Sequence, residues 1–275
     1  MASLRALLID LDGVVYEDDR LVPGALEALS RLREESVPHL FVTNTSSKAR
    51  GELATKLANF GVAADEEQII TPTAAAAEWI IREGHEPAAL FLQSSARRDF
   101  AGVRSLPFDA EVGAGSVVIG DLCSAWTFAE LNRAFRLLMD NPRAPLVALG
   151  RTRYWLASDG LRLDVGPFVA ALEEASGRAA VVLGKPAPEF FGIALQQLGI
   201  SAEEAAMVGD DIHTDVGAAL RIGMKGVLVR TGKFRNSDLE TPVSPDAVLK
   251  SIAELPHWWR MHNSYPRPGQ RSRFP

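Results

Sequence analysis

A single cysteine, Cys123, occurs in the 275 residues of this sequence. One cysteine excludes a disulfide within the chain, and no second cysteine can join it in a metal site. The five histidines are scattered, without the paired spacing that zinc sites show. No window approaches the roughly 18 uncharged apolar residues of a membrane-spanning helix, and too few residues precede the first predicted strand for a signal peptide. We therefore expect a cytoplasmic protein with no membrane partner.

Basic residues are also scarce, since 29 lysines and arginines stand against 35 aspartates and glutamates, a net charge of −6. A chain without a basic excess carries no electrostatic signal for nucleic acid. The charge is uneven, because residues 256–275 contain four arginines and no acid. We expect these residues to form a basic C-terminal extension. The remaining, more acidic body needs a local cation if it is to hold a phosphate group.

Short apolar runs alternate with helical patterns at both ends of the chain. Hydrophobic residues make up 47% and charged residues 23%, an ordinary globular composition. Residues 6–9 and 39–43 are predicted strands, each followed by a helix, and Ser46 or Ser47 would cap the second helix. The same alternation returns over 180–229. It is typical of a doubly wound parallel, Rossmann-like α/β sheet.

The sequence between these two halves has a different order of predicted elements. Its predicted elements are strands at 90–93, 116–119 and 146–149, a helix over 127–139 and a hairpin over 154–163. We interpret residues 71–180 as a second α/β domain inserted into the first. The core would then consist of residues 1–70 and 181–255.

Polar side chains follow four of the predicted core strands, at the point where each strand ends. They are Asp10 and Asp12, then Thr43 and Asn44, then Lys185, and finally Asp210, Asp211 and Asp215. Each group alone has an ordinary explanation as a turn, a helix cap or a solvated surface lysine. Ligands bind at the carboxyl ends of the strands in doubly wound sheets. Four such groups at one edge therefore favour a functional site.

The acids among these groups predict a magnesium ion. Carboxylates as close as Asp10 and Asp12 repel each other unless a cation or a shared proton relieves them, and Mg²⁺ prefers hard oxygen ligands. We expect Mg²⁺ to be held by Asp10, Asp12 and Asp210, with Asp12 contributing its carboxylate or its backbone carbonyl. Asp211 and Asp215 would support the site.

The chemistry that these residues suit is phosphoryl transfer. Asp10 would be the nucleophile and form an aspartyl phosphate. Asp12 would protonate the leaving group and then activate water. Thr43, Asn44 and Lys185 would bind the phosphate, because a hydroxyl, an amide and an ammonium group suit its oxygens.

Four segments of the sequence resemble the motifs of the haloacid dehalogenase superfamily of phosphohydrolases. In chain order they are DLDGVVY, FVTNTSS, GKPAPEFF and GDDIHTD. Their order and spacing match that superfamily over residues 5–255, and the insert between the second and third motifs resembles its type-II cap. The resemblance implies a Mg²⁺-dependent phosphatase of small molecules. It also implies a cap that closes over the site and selects the substrate, and a homodimer formed through the cap.

Two other functions stay open. An enzyme of the same fold could cleave P–N or P–O–P bonds, as a phosphoamidase or an inorganic pyrophosphatase does. A phosphorylated signalling module also places paired acids, a threonine and a lysine at strand ends. Such a module would lack the inserted domain, and it would hold its aspartyl phosphate rather than hydrolyse it.

Four further residues are interpreted as having no catalytic role. Cys123 is predicted to be a buried, inert thiol, and His213 a solvated loop histidine. Arg151 and Arg153 could bind an anionic substrate tail, but arginines are most often on the surface, and we expect that here.

Overall fold

The structure is a computed structural model that describes residues 3–157 and 160–263. Its strands are β1 (Ala6–Asp10), β2 (Tyr16–Glu17), β3 (Arg20–Leu21), β4 (His39–Val42), β5 (Ile69–Ile70), β6 (Ala88–Phe91), β7 (Ser116–Ile119), β8 (Leu146–Ala148), β9 (Tyr154–Ala157), β10 (Gly160–Leu163), β11 (Val181–Val182), β12 (Ala205–Gly209), β13 (Lys225–Val229) and β14 (Ala247–Leu249). Its α-helices are α1 (Ala25–Glu34), α2 (Arg50–Asn59), α3 (Pro72–Glu83), α4 (Phe128–Asp140), α5 (Val165–Ser176), α6 (Pro188–Leu198), α7 (Gly217–Arg221) and α8 (Leu255–His262).

The chain folds into two compact units. The first contains residues 1–40 and 195–275, and the second contains residues 41–194. The core-and-cap division expected from the sequence has other boundaries and stays a prediction. The predicted basic extension over 256–275 begins inside α8, and its residues 264–275 lie outside the described part of the chain.

The first unit contains four parallel strands, side by side in the order β14, β13, β12, β1. Every residue of β1 and β12 is buried, as expected for parallel strands that are covered on both faces. Ile9 lies beside Val208, so the two strands end side by side. This register brings Asp10 and Asp210 to the same edge of the sheet.

The second unit contains a four-stranded parallel sheet in the order β11, β8, β7, β6. Its core includes Phe91, Val117 and Leu146 from the strands, with Leu137 of α4 and Val169 of α5. The remaining strands of this unit form the parallel pair β4–β5 and the predicted hairpin β9–β10. The alternation of helices with parallel strands predicted from the sequence is confirmed.

The start of α2 differs from the prediction. The N-cap position is Ala49, which offers no side-chain acceptor, so the expected capping by Ser46 or Ser47 is wrong. The backbone N–H of Arg50 instead donates to Oδ1 of Asp99, at 3.0 Å. The cap therefore comes from a residue that is distant in sequence.

Asp99 also holds the start of α3. Its carboxylate accepts hydrogen bonds from the hydroxyls of Thr71 (3.0 Å) and Thr73 (2.5 Å), and its side chain is 3% exposed. Thr71 in turn caps α3 by accepting from the N–H of Ala74. One buried carboxylate thus links the N-termini of two helices.

Among the residues that the structure describes, no helix is both long and apolar enough to cross a membrane.

Candidate active site

Asp10 and Asp12 lie at the carboxyl end of β1. Asp10 is buried, 6% exposed, and its Oδ1 accepts a hydrogen bond of 2.8 Å from the backbone N–H of Leu11. Asp12 is exposed, in a turn where the N–H of Gly13 donates to the carbonyl of Tyr16 at 2.7 Å. A fixed, buried carboxylate followed by a more accessible one suits a nucleophile and a proton carrier.

Asp10 belongs to a cluster of three buried acids in the first unit. Its partners are Asp210, directly after β12, and Asp215, and one oxygen of each carboxylate lies within 4.8 Å of those of the other two. Three carboxylates this close repel one another in a buried environment, and a divalent cation relieves that repulsion. An all-oxygen set of ligands fits Mg²⁺. The cluster therefore has the donors that a magnesium site needs.

Two glycines enclose the carboxylate of Asp210. A Cβ atom built on either Gly13 or Gly232 would lie 2.0 Å from its Oδ2, and both glycines have positive φ angles, 80° and 61°. The backbone N–H of Lys233 donates to the same oxygen at 2.7 Å. The hydroxyl of Thr231 donates to the carbonyl of Gly13 at 2.5 Å and ties the two loops together. Asp210 is thus held rigidly by the backbone.

Asp211 and Asp215 share one turn, Ile212–Val216, but they do different things. The Asp211 carboxylate caps the turn by accepting from the N–H groups of His213 and Thr214, both at 2.9 Å. Burial raises the pKa of Asp211, but these N–H groups, the charge of Lys233 and the Thr214 hydroxyl together leave the pKa below its ordinary value. The carboxylate of Asp215 belongs to the acidic cluster and accepts from the N–H of Asp211 at 3.2 Å.

Tyr16 is buried close to the acids of β1. Burial raises the pKa of its phenol, and the charges of Asp12 and Asp10 raise it further. The phenol therefore stays protonated at any physiological pH and adds no charge to the site.

The predicted phosphate-binding residues lie in the second unit. Thr43, which follows β4, is 1% exposed, and its hydroxyl oxygen accepts from the N–H of Thr45 at 3.1 Å. Lys185 follows β11 and is 6% exposed. An ammonium group buried to this degree is uncommon for a lysine and is typical of a functional one.

Asn44 holds the backbone of Lys185 in place. Its Nδ2 donates to the Lys185 carbonyl at 2.9 Å, and its Oδ1 accepts from the Lys185 N–H at 2.8 Å. A Cβ on Gly184 would lie 3.2 Å from that Oδ1 and 2.9 Å from the carbonyl oxygen of Leu149. Glycine at position 184 therefore allows the close approach that both hydrogen bonds need.

The structure thus brings together Asp10, Asp210 and Asp215 in one unit, and Asn44 and Lys185 in the other. The carboxylate cluster contains Asp215, for which the sequence predicted a supporting role, and it does not contain the Asp12 side chain. The backbone carbonyl of Asp12 stays a predicted ligand. Sequence reasoning also missed the loop at 231–233. The signal was available, because Thr231, Gly232 and Lys233 come one residue after the end of β13.

The other four residues of interest lie outside these groups. The prediction of a buried Cys123 is wrong, since the thiol is exposed. His213 is exposed, as are Arg151 and Arg153, and Arg151 forms an ion pair with Glu173 on the surface of the second unit. An exposed, paired arginine is the expected surface residue.

Known proteins with similar sequences identify the family. A family model described as haloacid dehalogenase-like hydrolase matches residues 7–103, and one described as HAD-hydrolase-like matches residues 182–255. The human phospholysine phosphohistidine inorganic pyrophosphate phosphatase is 38% identical over 259 residues, covering 92% of this chain and 93% of the relative. The chain belongs to the haloacid dehalogenase-like hydrolase family. Human haloacid dehalogenase-like hydrolase domain-containing protein 2 is 41% identical over 255 residues, covering 93% of this chain and 94% of that relative.

Solved structures in the haloacid dehalogenase-like family agree with this assignment. The p-nitrophenyl phosphatase from Archaeoglobus fulgidus is similar with a TM-score of 0.83 and 28% identity, covering 94% of this chain and 100% of that one. A 4-nitrophenylphosphatase from Thermotoga maritima has a TM-score of 0.81 and 30% identity, covering 92% and 97%. The expected family, the Rossmann-like α/β fold and the expectation of a phosphatase are thereby confirmed.

Proposed function

We propose that this chain is a Mg²⁺-dependent phosphatase of small phosphorylated molecules that works through an aspartyl phosphate on Asp10. The observation that carries the proposal is the cluster of Asp10, Asp210 and Asp215, three buried carboxylates at the carboxyl edge of a parallel sheet. Such a cluster is costly to bury without a cation, and it stands where doubly wound folds bind their ligands.

The three carboxylates of the cluster would hold the ion, and the backbone carbonyl of Asp12 is a further candidate ligand. When bound, Mg²⁺ supplies positive charge to the phosphate oxygens and orients the phosphorus for attack. Lys233 N–H and the two glycines fix the Asp210 carboxylate. Asp211 is bonded within its own turn and supports Asp215 through its backbone N–H.

In the first step a carboxylate oxygen of Asp10 attacks phosphorus and forms an acyl phosphate. The bond from phosphorus to the leaving oxygen breaks as Asp12 donates a proton to that oxygen. The bond from Leu11 N–H to Oδ1 of Asp10 holds the nucleophile in orientation. The Lys185 ammonium and the Thr43 hydroxyl would offset the charge that develops on the phosphate oxygens.

In the second step Asp12, now a carboxylate, takes a proton from water. The resulting hydroxide attacks phosphorus of the aspartyl phosphate, the bond to Asp10 breaks, and phosphate leaves. Asp12 is protonated again and ready for another ester.

Cleavage of P–N or P–O–P bonds is the second candidate. It is favoured by the name of the human relative at 38% identity, which includes phospholysine, phosphohistidine and inorganic pyrophosphate. The same nucleophile and the same acid serve this reaction, since an amine or phosphate leaving group also needs a proton. Phosphate release from phosphoamidates, pyrophosphate, sugar phosphates and nucleotides in Mg²⁺ buffer decides between the two.

The experiment that tests the mechanism compares Asp12→Asn with wild type. Asparagine keeps the size of the side chain but cannot titrate, so hydrolysis of esters with poor leaving groups should fall by about 10²–10⁴-fold. The rate with p-nitrophenyl phosphate should fall less, because its leaving group needs little protonation. Acid-quenched Asp12→Asn protein should retain labelled phosphate on Asp10, because hydrolysis of the aspartyl phosphate is slowed as well.

Two controls accompany it. Asp10→Asn should show neither turnover nor label, and Asp19→Asn, an exposed acid outside the cluster, should behave as wild type. Equal rates for Asp12→Asn and wild type on poor leaving groups would remove Asp12 from the mechanism. A wild-type protein that holds its phosphate for hours would instead identify a signalling module.

The homodimer through the cap and the cytoplasmic location stay proposals. The dimer is supported by large apolar side chains that the second unit exposes, namely Phe128, Tyr154 and Leu161. Burial of such side chains is a favourable contribution to association. The mass of the particle in solution tests it.

A further inference from the structure

A pocket of about 380 Å³ lies in the second unit, beside the carboxyl ends of its parallel strands. Asp121, which lines it, comes two residues after β7. Lys185 comes three residues after β11 in the same sheet. β8 separates β7 from β11, so the two strand ends are two strand spacings apart, about 10 Å. The pocket and the proposed phosphate-binding lysine therefore share one edge of one sheet.

The strands continue to pair up to these loops. The N–H of Leu149 donates to the carbonyl of Ile119, and the N–H of Leu183 donates to the carbonyl of Ala148. The segments that carry Asp121 and Lys185 therefore start level with each other. Ligands in parallel α/β sheets bind at this edge.

Two carboxylates in the pocket are held by hydrogen bonds. Asp121 accepts from the N–H of Cys123 at 2.6 Å and from Nε2 of Gln93 at 3.3 Å. Asp164 caps α5 by accepting from the N–H of Val165 at 2.7 Å. Groups fixed in this way lose little conformational entropy when a ligand binds.

The charge of the pocket is negative. Asp121 and Asp164 contribute two negative charges, and Arg162, exposed at the rim on β10, contributes one positive charge. Burial raises the pKa of Asp164, and the charge of Asp121 raises it further. The hydrogen bond from the N–H of Val165 lowers it, but by less. A positive charge between the two carboxylates would relieve this repulsion.

Much of the remaining wall is apolar. Val165 and Phe168 of α5 line it together with Trp126. The Trp126 ring is stacked between Phe168 and Phe91, with ring centroids 4.6 Å and 5.9 Å away. A hydrocarbon chain would pack against this wall, while its far end reached the acids.

We propose that this pocket binds the leaving group of the substrate, and that it selects a protonated amine at the end of a hydrocarbon chain about 10 Å long, which matches the separation of the two strand ends. The inference rests on the proposed function, because it assumes that Lys185 holds the phosphate. It assigns the recognition of one substrate class, aminoalkyl phosphates, to residues of the second unit.

Three synthetic substrates of matched length test the proposal. They are 6-aminohexyl phosphate, hexyl phosphate and 6-(phosphonooxy)hexanoate, which end in a cation, a methyl group and an anion. The wild-type kcat/KM for the amine should exceed that for hexyl phosphate by about tenfold or more. The ammonium group would form charge-assisted hydrogen bonds with the two acids, which are stronger than neutral ones, and the methyl group forms none. The Asp121→Asn/Asp164→Asn protein should lose this preference, to within about threefold.

The amide variants keep the acceptor oxygens that Cys123 and Val165 need, and asparagine is as good an N-cap as aspartate. The Asp164→Asn single variant provides the same test, with a partial loss, if the double variant does not fold. Asp109→Asn, which removes an exposed acid of the second unit away from the pocket, should keep the full preference.

Equal kcat/KM values for the amine and hexyl phosphate in wild type would overturn the proposal. A preference for the carboxylate would also overturn it and would make Arg162 the selecting residue. Acetyl phosphate, which is too short to reach the pocket, reports on the catalytic centre alone. If wild type does not hydrolyse it, the proposed function fails. In that case calorimetric titration still tests the pocket, because it compares the affinities for 6-aminohexyl phosphate and hexyl phosphate without turnover. Equal affinities for the two would then overturn the proposal.

Discussion

The Asn44 side chain is bonded to both the N–H and the carbonyl of Lys185. We infer from this geometry that Asn44 positions Lys185, and the direct contact with phosphate expected from the sequence stays a prediction. Two hydrogen bonds from one amide fix the backbone of Lys185, and so the position from which its side chain starts. The ammonium group then has fewer positions to sample. The effect of Asn44 on the reaction should therefore pass through Lys185.

The prediction at this scale concerns Asn44→Ala. The change removes both hydrogen bonds to Lys185 and should lower kcat/KM by about 10²-fold, since a shift of about 1 Å in a catalytic group has an effect of that size. Steady-state kinetics with p-nitrophenyl phosphate measures it. Asn59→Ala, an exposed asparagine at the end of α2, is the matched control and should match wild type.

A double-mutant cycle separates positioning from direct binding. If Asn44 acts through Lys185, the Asn44→Ala/Lys185→Ala protein should be no slower than Lys185→Ala alone. Additive losses would mean that Asn44 contacts the substrate itself.

At the scale of secondary-structure elements, Asp99 connects two helices whose own sequences do not predict a link. Its carboxylate accepts from the backbone of Arg50 and from two threonine hydroxyls at the start of α3. The Arg50 guanidinium also approaches it, with Nε at 3.8 Å from Oδ1. A single carboxylate therefore accepts hydrogen bonds from donors at the N-termini of two helices.

Asp99→Ala should lower the free energy of unfolding by about 3–5 kcal/mol, because it leaves several donors buried without their acceptor. Asp99→Asn keeps an acceptor oxygen and should lose less. Urea denaturation followed by circular dichroism measures the difference, with the exposed Asp109→Ala as a control. A loss below about 1 kcal/mol for Asp99→Ala would show that water replaces the carboxylate at little cost.

Much of the element pattern could be predicted, because strand ends and glycine turns are local signals. The apolar runs before Asp10, Asp210 and Lys185 predict the strands that end there. The link from Asp99 to Arg50 could not be predicted, since 49 residues separate the two along the chain. The two glycines that enclose Asp210 could not be predicted for the same reason, because Gly232 approaches that carboxylate only in the folded chain.

For the whole molecule, the proposed magnesium site would couple metal binding to stability, because its ligands are buried acids. Buried carboxylates destabilise the folded protein when no cation is present, and a ligand that binds only the folded state stabilises it. At 100 times its dissociation constant, such a ligand adds about 2.7 kcal/mol.

Thermal denaturation should therefore show a higher midpoint in MgCl₂ than in EDTA, by several degrees for a chain of this size. Asp215→Asn should reduce this difference, since it removes one ligand and one negative charge from the cluster. Glu27→Gln, an exposed acid of α1, should retain it. An equal midpoint in both buffers for wild type would contradict a magnesium site built from these acids.

Cys123 gives the protein a built-in attachment point for a spectroscopic reporter. It is the sole cysteine of the sequence, it is exposed, and it lies on the rim of the pocket beside Asp121. Partial shielding from water by the pocket wall and the hydrogen bond to Asp121 raise the pKa of its thiol, so maleimide labelling should be fastest in mildly alkaline buffer. A fluorophore placed there would occupy one known position, and its emission would follow occupancy of the pocket without further engineering of the chain.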